Sequence, residues 1–151
     1  MPPARISSGA SEVAELPEEG TRVLAIRHGE TAWNVDTRIQ GHLDIALNET
    51  GRWQAAQLAD ALGDETLAAV YSSDLSRAFD TAQAVADSAG LPVSIDLDLR
   101  ERNFGSFQGQ TFKEIETRWP DQCERWRKRD PEFTPPGGES LIDFYARCVA
   151  S

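Results

Sequence analysis

The sequence predicts an α/β fold in which a mostly parallel sheet is flanked by helices. Short apolar runs of strand length alternate with longer segments whose apolar residues recur at helical spacing, in the order strand, helix, strand, helix, strand. Such alternation implies right-handed crossovers between parallel strands. The chain has 151 residues, of which 40% are hydrophobic and 26% charged, so it has the size and composition of one globular domain.

Each element follows from a local pattern. Three segments have the apolar or β-branched character of short strands: 22–27, 68–72 and 92–95. Asn48 is a favourable N-cap for the helix after the first strand, and Gly63 is expected to end that helix. The next helix has an apolar stripe that runs from Leu75 to Ala89, and Gly90 closes it.

The pattern is less regular beyond residue 100. A helix is expected from Thr111 to Trp119, where Pro120 interrupts it, and an amphipathic helix is expected from Leu141 onward. The basic run 125–129 favours a solvated helix face over an anion site, because the chain as a whole is acidic.

Arg27 and His28 stand directly after the first predicted strand. An imidazole there can attack a phosphoryl group, and the adjacent guanidinium can hold that group's oxygens. Arg77 follows the second predicted strand, and ligands of open α/β sheets bind beyond the carboxyl ends of the strands. We therefore expect Arg77 and His28 to converge. The helix start near Ser76 offers backbone N–H groups as a further place for an anion.

Further motifs accompany this pair in a fixed order: Arg27-His28-Gly29-Glu30-Thr31, Trp33-Asn34, Ile39-Gln40-Gly41-His42-Leu43-Asp44-Ile45-Ala46-Leu47, Gly51-Arg52-Trp53-Gln54-Ala55, Ser72-Ser73-Asp74-Leu75-Ser76-Arg77-Ala78-Phe79-Asp80-Thr81-Ala82, Leu99-Arg100-Glu101-Arg102-Asn103-Phe104-Gly105 and Pro136-Gly137-Gly138-Glu139-Ser140. In this order and spacing they resemble the histidine phosphatase superfamily, the phosphoglycerate-mutase-like proteins. The resemblance runs from about Arg22 to the end of the chain. It implies a three-layer α/β fold and phosphoryl transfer through a phosphohistidine.

The resemblance implies that His28 is the nucleophile and Glu101 the general acid and base. A histidine with an ordinary pKa of about 6.5 is available in its neutral form at physiological pH. A carboxyl group can protonate the leaving oxygen of a phosphate ester. Five further residues are expected to bind the phosphate: Arg27, Asn34, Gln40, Gly41 and Arg77.

The family also carries a second catalytic histidine within a His-Gly motif on a later strand, and this sequence has no match to it. The only other histidine is His42, which we expect in a loop at the rim of the pocket. The sequence therefore predicts a domain that is truncated at its C-terminal end. A missing inner strand would leave apolar surface uncovered and activity weak.

Two branches of the family fit the motifs. In mutases a threonine usually precedes the glycine where this chain has Gln40-Gly41, and the segment 136–140 resembles the phosphatase branch. We therefore expect a phosphatase acting on small phosphate monoesters. A mutase, or a catalytically weak phosphate-binding or regulatory protein, remains the alternative.

Composition and net charge limit which partners and which cellular location are expected. The net charge of −10 argues against nucleic acid as a partner, but a local cluster of arginines can still bind a small phosphorylated substrate. Cys123 and Cys148 have no metal-ligand spacing, so neither a metal nor another cofactor is expected. Reduced thiols, and the lack of a membrane-spanning or signal segment, favour a cytoplasmic protein. We expect residues 1–20 to form a flexible tail and residues 21–151 to form the domain. The sequence does not indicate its oligomeric state.

Overall fold

The structure, a computed structural model, describes residues 20–151. Its helices and strands, in chain order, are α1 (Ala32–Val35), α2 (Glu49–Ala61), β1 (Val70–Ser72), α3 (Ser76–Ala89), β2 (Val93–Ile95), α4 (Phe112–Arg118), α5 (Pro120–Arg127) and α6 (Leu141–Ala150). Short 3-10 turns follow β2 at Leu97–Leu99 and precede α4 at Gly105–Phe107. The predicted tail lies outside the described residues, except for Gly20. Within 20–151, no helix is long and apolar enough to cross a membrane.

The predicted α/β class is confirmed by a strand–helix–strand unit, β1–α3–β2, at the centre of the chain. Strands β1 and β2 pair in parallel, with Val70 opposite Val93 and Ser72 opposite Ile95. Helix α3 connects them and packs against both strands, and α2 packs against α3. The carboxyl end of β1 therefore leads, after a short turn, into α3, the helix that carries Arg77.

The strand predicted at 22–27 is wrong for the described part of the chain. These residues form neither helix nor strand, and the two-stranded sheet of residues 20–151 contains only β1 and β2. A strand exists through hydrogen bonds to a neighbour, and none pairs with 22–27 here. Val23 is 80% exposed and Ile26 45% exposed, which shows that the apolar pattern has no covering layer at this place. The second predicted strand is also shorter, because β1 begins at Val70.

The predicted helix ends are confirmed at two positions. The Asn48 side chain accepts a 2.8 Å hydrogen bond from the Gly51 N–H and so caps α2. Gly90 ends α3 with a φ of 67°, which is the left-handed conformation that glycine adopts without a Cβ clash. Farther along, Pro120 separates two helices, because it is the first residue of α5 and cannot continue α4.

The basic run is a solvated surface, as the sequence favours. Three of its four cationic side chains form local ion pairs: Arg125–Asp130, Arg127–Glu116 and Lys128–Glu124. Beneath it a small hydrophobic core joins α4, α5 and the following loop. The buried members of this core are Phe107, Ile115, Cys123 and Phe133.

Two glycines bring α2 against the segment that follows Arg27. A Cβ on Gly51 would lie 2.1 Å from the Glu30 carbonyl oxygen, and a Cβ on Gly29 would lie 2.5 Å from the Gly51 carbonyl oxygen. Both obstacles are backbone atoms, which cannot rotate away. The close approach therefore requires glycine on both sides and fixes the position of His28 relative to α2.

We predict that Gly51→Ala destabilises the fold despite placing a better helix former in α2. The methyl group must push two backbone segments apart, and such overpacking costs about 1–3 kcal/mol. Urea unfolding measures the loss. Thr50→Ala, at an exposed neighbouring position of the same helix turn, is the matched control and should not lower the midpoint. A Gly51→Ala protein with an unchanged or higher midpoint would contradict the close contact.

Candidate active site

The imidazole of His28 is half-buried and fixed by its own loop. Its Nδ1 lies 2.7 Å from the Gly29 carbonyl oxygen. A carbonyl oxygen only accepts hydrogen bonds, so Nδ1 carries the proton and donates. In the neutral ring the lone pair then resides on Nε2, which is the atom left to act as a nucleophile.

Three other predicted residues act on this ring through their charge. Burial lowers the pKa of His28 below its ordinary 6.5, and the positive charges of Arg77 and Arg27 lower it further. The hydrogen bond to Gly29 and the charge of Glu101 oppose the shift. The structure thus places both arginines and Glu101 close enough to His28 to interact with it by charge, and the balance favours the neutral imidazole.

Arg77 does more than the sequence indicates. Its side chain is 1% exposed, and its two terminal nitrogens donate to the carbonyl oxygens of Leu43 and Gly41 at 2.8 and 2.6 Å. Burial lowers the pKa of Arg77, while the charges of Glu101 and Asp44 raise it. A guanidinium has five N–H donors, so three remain for an anion. Arg77 therefore fixes the 41–43 loop as well as presenting charge.

The helix start near Ser76 is not an open anion site. The Asp44 carboxylate accepts hydrogen bonds from the Ser76 N–H at 2.8 Å and from its hydroxyl at 2.9 Å. An acidic side chain from the neighbouring loop therefore already occupies the positive end of α3. The expectation of phosphate at this helix start is wrong.

Gly41 shapes the loop through its backbone. It adopts a φ of 54°, and a Cβ would lie 2.2 Å from Oε1 of Gln108. The same Gln108 oxygen accepts the His42 N–H at 2.8 Å. The Gly41 carbonyl oxygen accepts a hydrogen bond from Arg77, so Gly41 holds this loop beside the guanidinium.

Asn34 and Gln40 lie on two sides of Thr31. The Asn34 Oδ1 accepts the Thr31 N–H at 2.9 Å, and the Gln40 Oε1 lies 2.6 Å from the Thr31 hydroxyl. Thr31 and Gln40 are buried, and Asn34 is half-buried. Thr31 has no role among the predicted site residues, although Thr31 and Asn34 have the three-residue spacing of a helix capping box, which is a signal for one.

Glu101 projects an exposed carboxyl group. Its Oε1 accepts the Arg102 N–H at 2.7 Å, and its backbone carbonyl accepts from His42 Nε2 at 2.7 Å and from Arg147 at 3.2 Å. Arg147 is held in turn by an ion pair with Glu139 at 2.6 Å. His42 is thus a loop residue that supports the Glu101 backbone.

Sequence reasoning also missed the side chains that fasten the His28 loop. The Thr81 hydroxyl accepts the Gly29 N–H at 3.0 Å and donates to the Arg77 carbonyl at 2.7 Å. The Gln54 Oε1 accepts the Glu30 N–H at 2.9 Å. Both residues belong to the motifs singled out in the sequence, but only the folded contacts show what they hold.

Among the described residues, one cleft is lined by Arg27 and His28 of the predicted site residues, and a larger cleft lies elsewhere. A space of about 260 Å³ adjoins His28 between α2 and α3, and Gln54, Leu58 and Thr81 contribute to its walls. A second cleft of about 660 Å³ lies along α4 and includes none of the predicted site residues. Within 20–151, no group of three or more His, Cys, Asp or Glu side chains is arranged to hold a metal ion.

Known proteins resemble this chain over most of its described length. Phosphoglycerate mutase-like protein 4 of Arabidopsis thaliana is 44% identical over 132 residues, covering 85% of this chain and 57% of that protein. Glucosyl-3-phosphoglycerate phosphatase of Mycobacterium tuberculosis is 43% identical over 126 residues, covering 83% of this chain and 56% of that protein. The chain thus spans a little over half the length of these relatives.

The fold resemblance agrees with the sequence resemblance. The structure of a mycobacterial glucosyl-3-phosphoglycerate phosphatase in complex with VO3 superposes with a TM-score of 0.75 at 43% identity, covering 80% of this chain and 60% of that one. Residues 23–151 match the family model of the histidine phosphatase superfamily, branch 1. The resemblance inferred from the motifs is therefore confirmed, and the chain belongs to the histidine phosphatase superfamily.

Proposed function

We propose that the protein is a phosphatase that hydrolyses small phosphate monoesters through a phosphohistidine at His28. The state of the imidazole carries this proposal. Its Nδ1 donates to Gly29, its pKa is lowered by burial and by Arg77 and Arg27, and its Nε2 keeps a free lone pair. A neutral nucleophile beside two guanidinium groups is the arrangement that phosphoryl transfer needs.

In the first step, Nε2 of His28 attacks phosphorus while the bond from phosphorus to the ester oxygen breaks. The departing oxygen takes a proton from the acid form of Glu101 and leaves as an alcohol. Arg27 and the remaining donors of Arg77 bind the phosphoryl oxygens, because a forked guanidinium matches their spacing. The charge that develops on those oxygens is stabilised by donors that are already in place.

In the second step, water attacks the phosphohistidine. Glu101, now a carboxylate, accepts a proton from the water as the oxygen–phosphorus bond forms. The nitrogen–phosphorus bond breaks, its electron pair returns to Nε2 of His28, and inorganic phosphate leaves. Glu101 regains its acid form, so both groups end the cycle as they began it.

Gln40 favours a phosphatase over a mutase, since mutases of the family usually have threonine at this place. Relatives named as phosphatases support the same choice. The proposal includes a cytoplasmic location, which the free thiols Cys123 and Cys148 support.

A second candidate is a phosphate-binding protein with little turnover. The sequence contains two histidines, His28 and His42. The Nε2–H of His42 donates to the Glu101 carbonyl oxygen, so this proton is not available to the phosphoryl group. A covalent adduct that forms but hydrolyses slowly would favour this candidate over a rapid phosphatase.

We predict that His28 becomes phosphorylated. After brief incubation with p-nitrophenyl phosphate and a quench in base, intact-protein mass spectrometry should show the addition of one phosphoryl group that acid removes. His28→Ala should abolish the adduct. His42→Gln should retain it, since glutamine can still donate to the Glu101 carbonyl. An adduct that survives in His28→Ala, or no adduct in the wild type, would contradict the proposal.

We predict that Arg27→Ala weakens orthovanadate binding roughly 10- to 150-fold, because each charge-assisted hydrogen bond contributes about 1.5–3 kcal/mol. Calorimetric titration measures the affinity. Arg22→Ala is the matched control, since Arg22 is exposed on the same segment and pairs with Glu65. Equal affinities of the two variants would remove Arg27 from the site.

The same pair of variants tests the pH dependence. Adduct formation needs neutral His28, so on the acidic side its rate should fall as the pH drops through a pKa below the ordinary 6.5. Arg27→Ala removes a charge that lowers this pKa. The pKa then rises, and the acidic limb of the rate profile should move to higher pH. A limb that stays in place, or that moves to lower pH, would contradict the coupling.

A further inference from the structure

We propose that Thr31 is a positioning residue, which turns the amide N–H₂ groups of Asn34 and Gln40 toward the phosphoryl group. The inference rests on the proposed function. Thr31 is 0% exposed and lies three residues after His28, so it cannot itself be a surface contact. Its role follows from where its single hydroxyl proton goes.

Four hydrogen-bond contacts link the N–H and hydroxyl of Thr31 to Asn34 and Gln40. The Asn34 Oδ1 accepts the Thr31 N–H at 2.9 Å, and the Thr31 hydroxyl oxygen accepts the Asn34 backbone N–H at 3.1 Å. The single hydroxyl proton of Thr31 has two acceptors within reach, Asn34 Oδ1 at 3.0 Å and Gln40 Oε1 at 2.6 Å. The shorter oxygen–oxygen distance assigns the proton to Gln40, while Asn34 Oδ1 keeps the Thr31 N–H. The hydroxyl thus accepts from one neighbour and donates to the other.

This arrangement fixes which way both amides face. Each carbonyl oxygen is engaged by Thr31, so each N–H₂ group points away from it. Within residues 20–151, neither Asn34 Nδ2 nor Gln40 Nε2 is recorded as donating to a protein acceptor. Both atoms still reach solvent, since Gln122 Oε1 is the one buried side-chain polar atom without a partner in that range. Four N–H donors are therefore left for an anion.

A capping role alone does not account for these contacts. The bonds between Thr31 and Asn34 form the capping box of α1, but the bond to Gln40 reaches nine residues along the chain into another loop. That loop continues into Gly41, whose carbonyl is bound by Arg77. Thr31 therefore connects the helix that carries one amide to the loop that carries the other, beside the guanidinium. A flipped amide would instead present its oxygen to the phosphoryl oxygens and repel them.

The chain offers a matched control at the start of α4. Thr111 forms the same capping box with Glu114: its hydroxyl accepts the Glu114 N–H at 3.2 Å, and its N–H donates to the Glu114 carboxylate at 2.8 Å. Thr111 has no bond to a predicted phosphate-binding amide. Thr31→Val and Thr111→Val therefore both lose a helix cap, but only the first loses the orientation of Gln40.

The test measures the affinity for orthovanadate by calorimetry. Thr31→Val should weaken it roughly 10-fold or more, Thr31→Ser should stay within about 3-fold of wild type, and Thr111→Val should leave it unchanged while lowering the unfolding midpoint. Thr31→Val binding as tightly as wild type overturns the proposal, as does a loss in Thr111→Val of the same size. A wild type that binds no vanadate overturns both this inference and the proposed function, whereas a normal wild type with a normal Thr31→Val overturns only the inference.

A double-mutant cycle identifies the route of the effect. In a Gln40→Ala background, Thr31→Val should weaken vanadate binding by only about 3-fold, because the amide that it orients is gone. An undiminished loss in that background overturns the proposal. If Thr31→Val does not fold, nuclear magnetic resonance of the wild type decides instead. The side-chain amide signals of Asn34 and Gln40 should shift on vanadate binding, and unmoved signals would contradict their role.

Discussion

The stretch from His28 to Thr31 is held in place by side chains of two helices, and the proposed chemistry depends on that support. Thr81 of α3 accepts the Gly29 N–H at 3.0 Å, and Gln54 of α2 accepts the Glu30 N–H at 2.9 Å. The close contact of Gly29 with Gly51 sets the distance between this stretch and α2. These bonds fix the backbone carbonyl of Gly29, and this carbonyl determines which nitrogen of the imidazole is free.

The same positive charges have two consequences at the site. In the proposed reaction Arg27 and Arg77 bind the phosphoryl oxygens although the net charge of the chain is −10, and both charges disfavour the protonated form of His28. Both effects require short distances and limited screening by water. The burial of Arg77 provides them, because its bonds to two loop carbonyls hold a charge inside the fold that would otherwise turn toward solvent.

Local patterns predicted the parts of this fold that depend on local interactions. The Asn48 cap, the Gly90 terminus and the parallel βαβ unit follow from propensity, capping and connection rules. The predicted strand at 22–27 is absent from the sheet of the described residues. A strand requires a hydrogen-bonded neighbour, and no local sequence pattern encodes that neighbour. Sequence spacing likewise could not show that Asp44 fills the start of α3.

The protonation state of His28 is the central claim, and nitrogen-15 nuclear magnetic resonance of the histidine rings tests it most directly. The chain has two histidines, so spectra of the wild type and His28→Ala assign the signals. At neutral pH the account predicts a neutral His28 ring with its proton on Nδ1. A ring protonated on Nε2 alone, or an imidazolium carrying both protons at that pH, would contradict it, because neither form leaves Nε2 free to attack phosphorus.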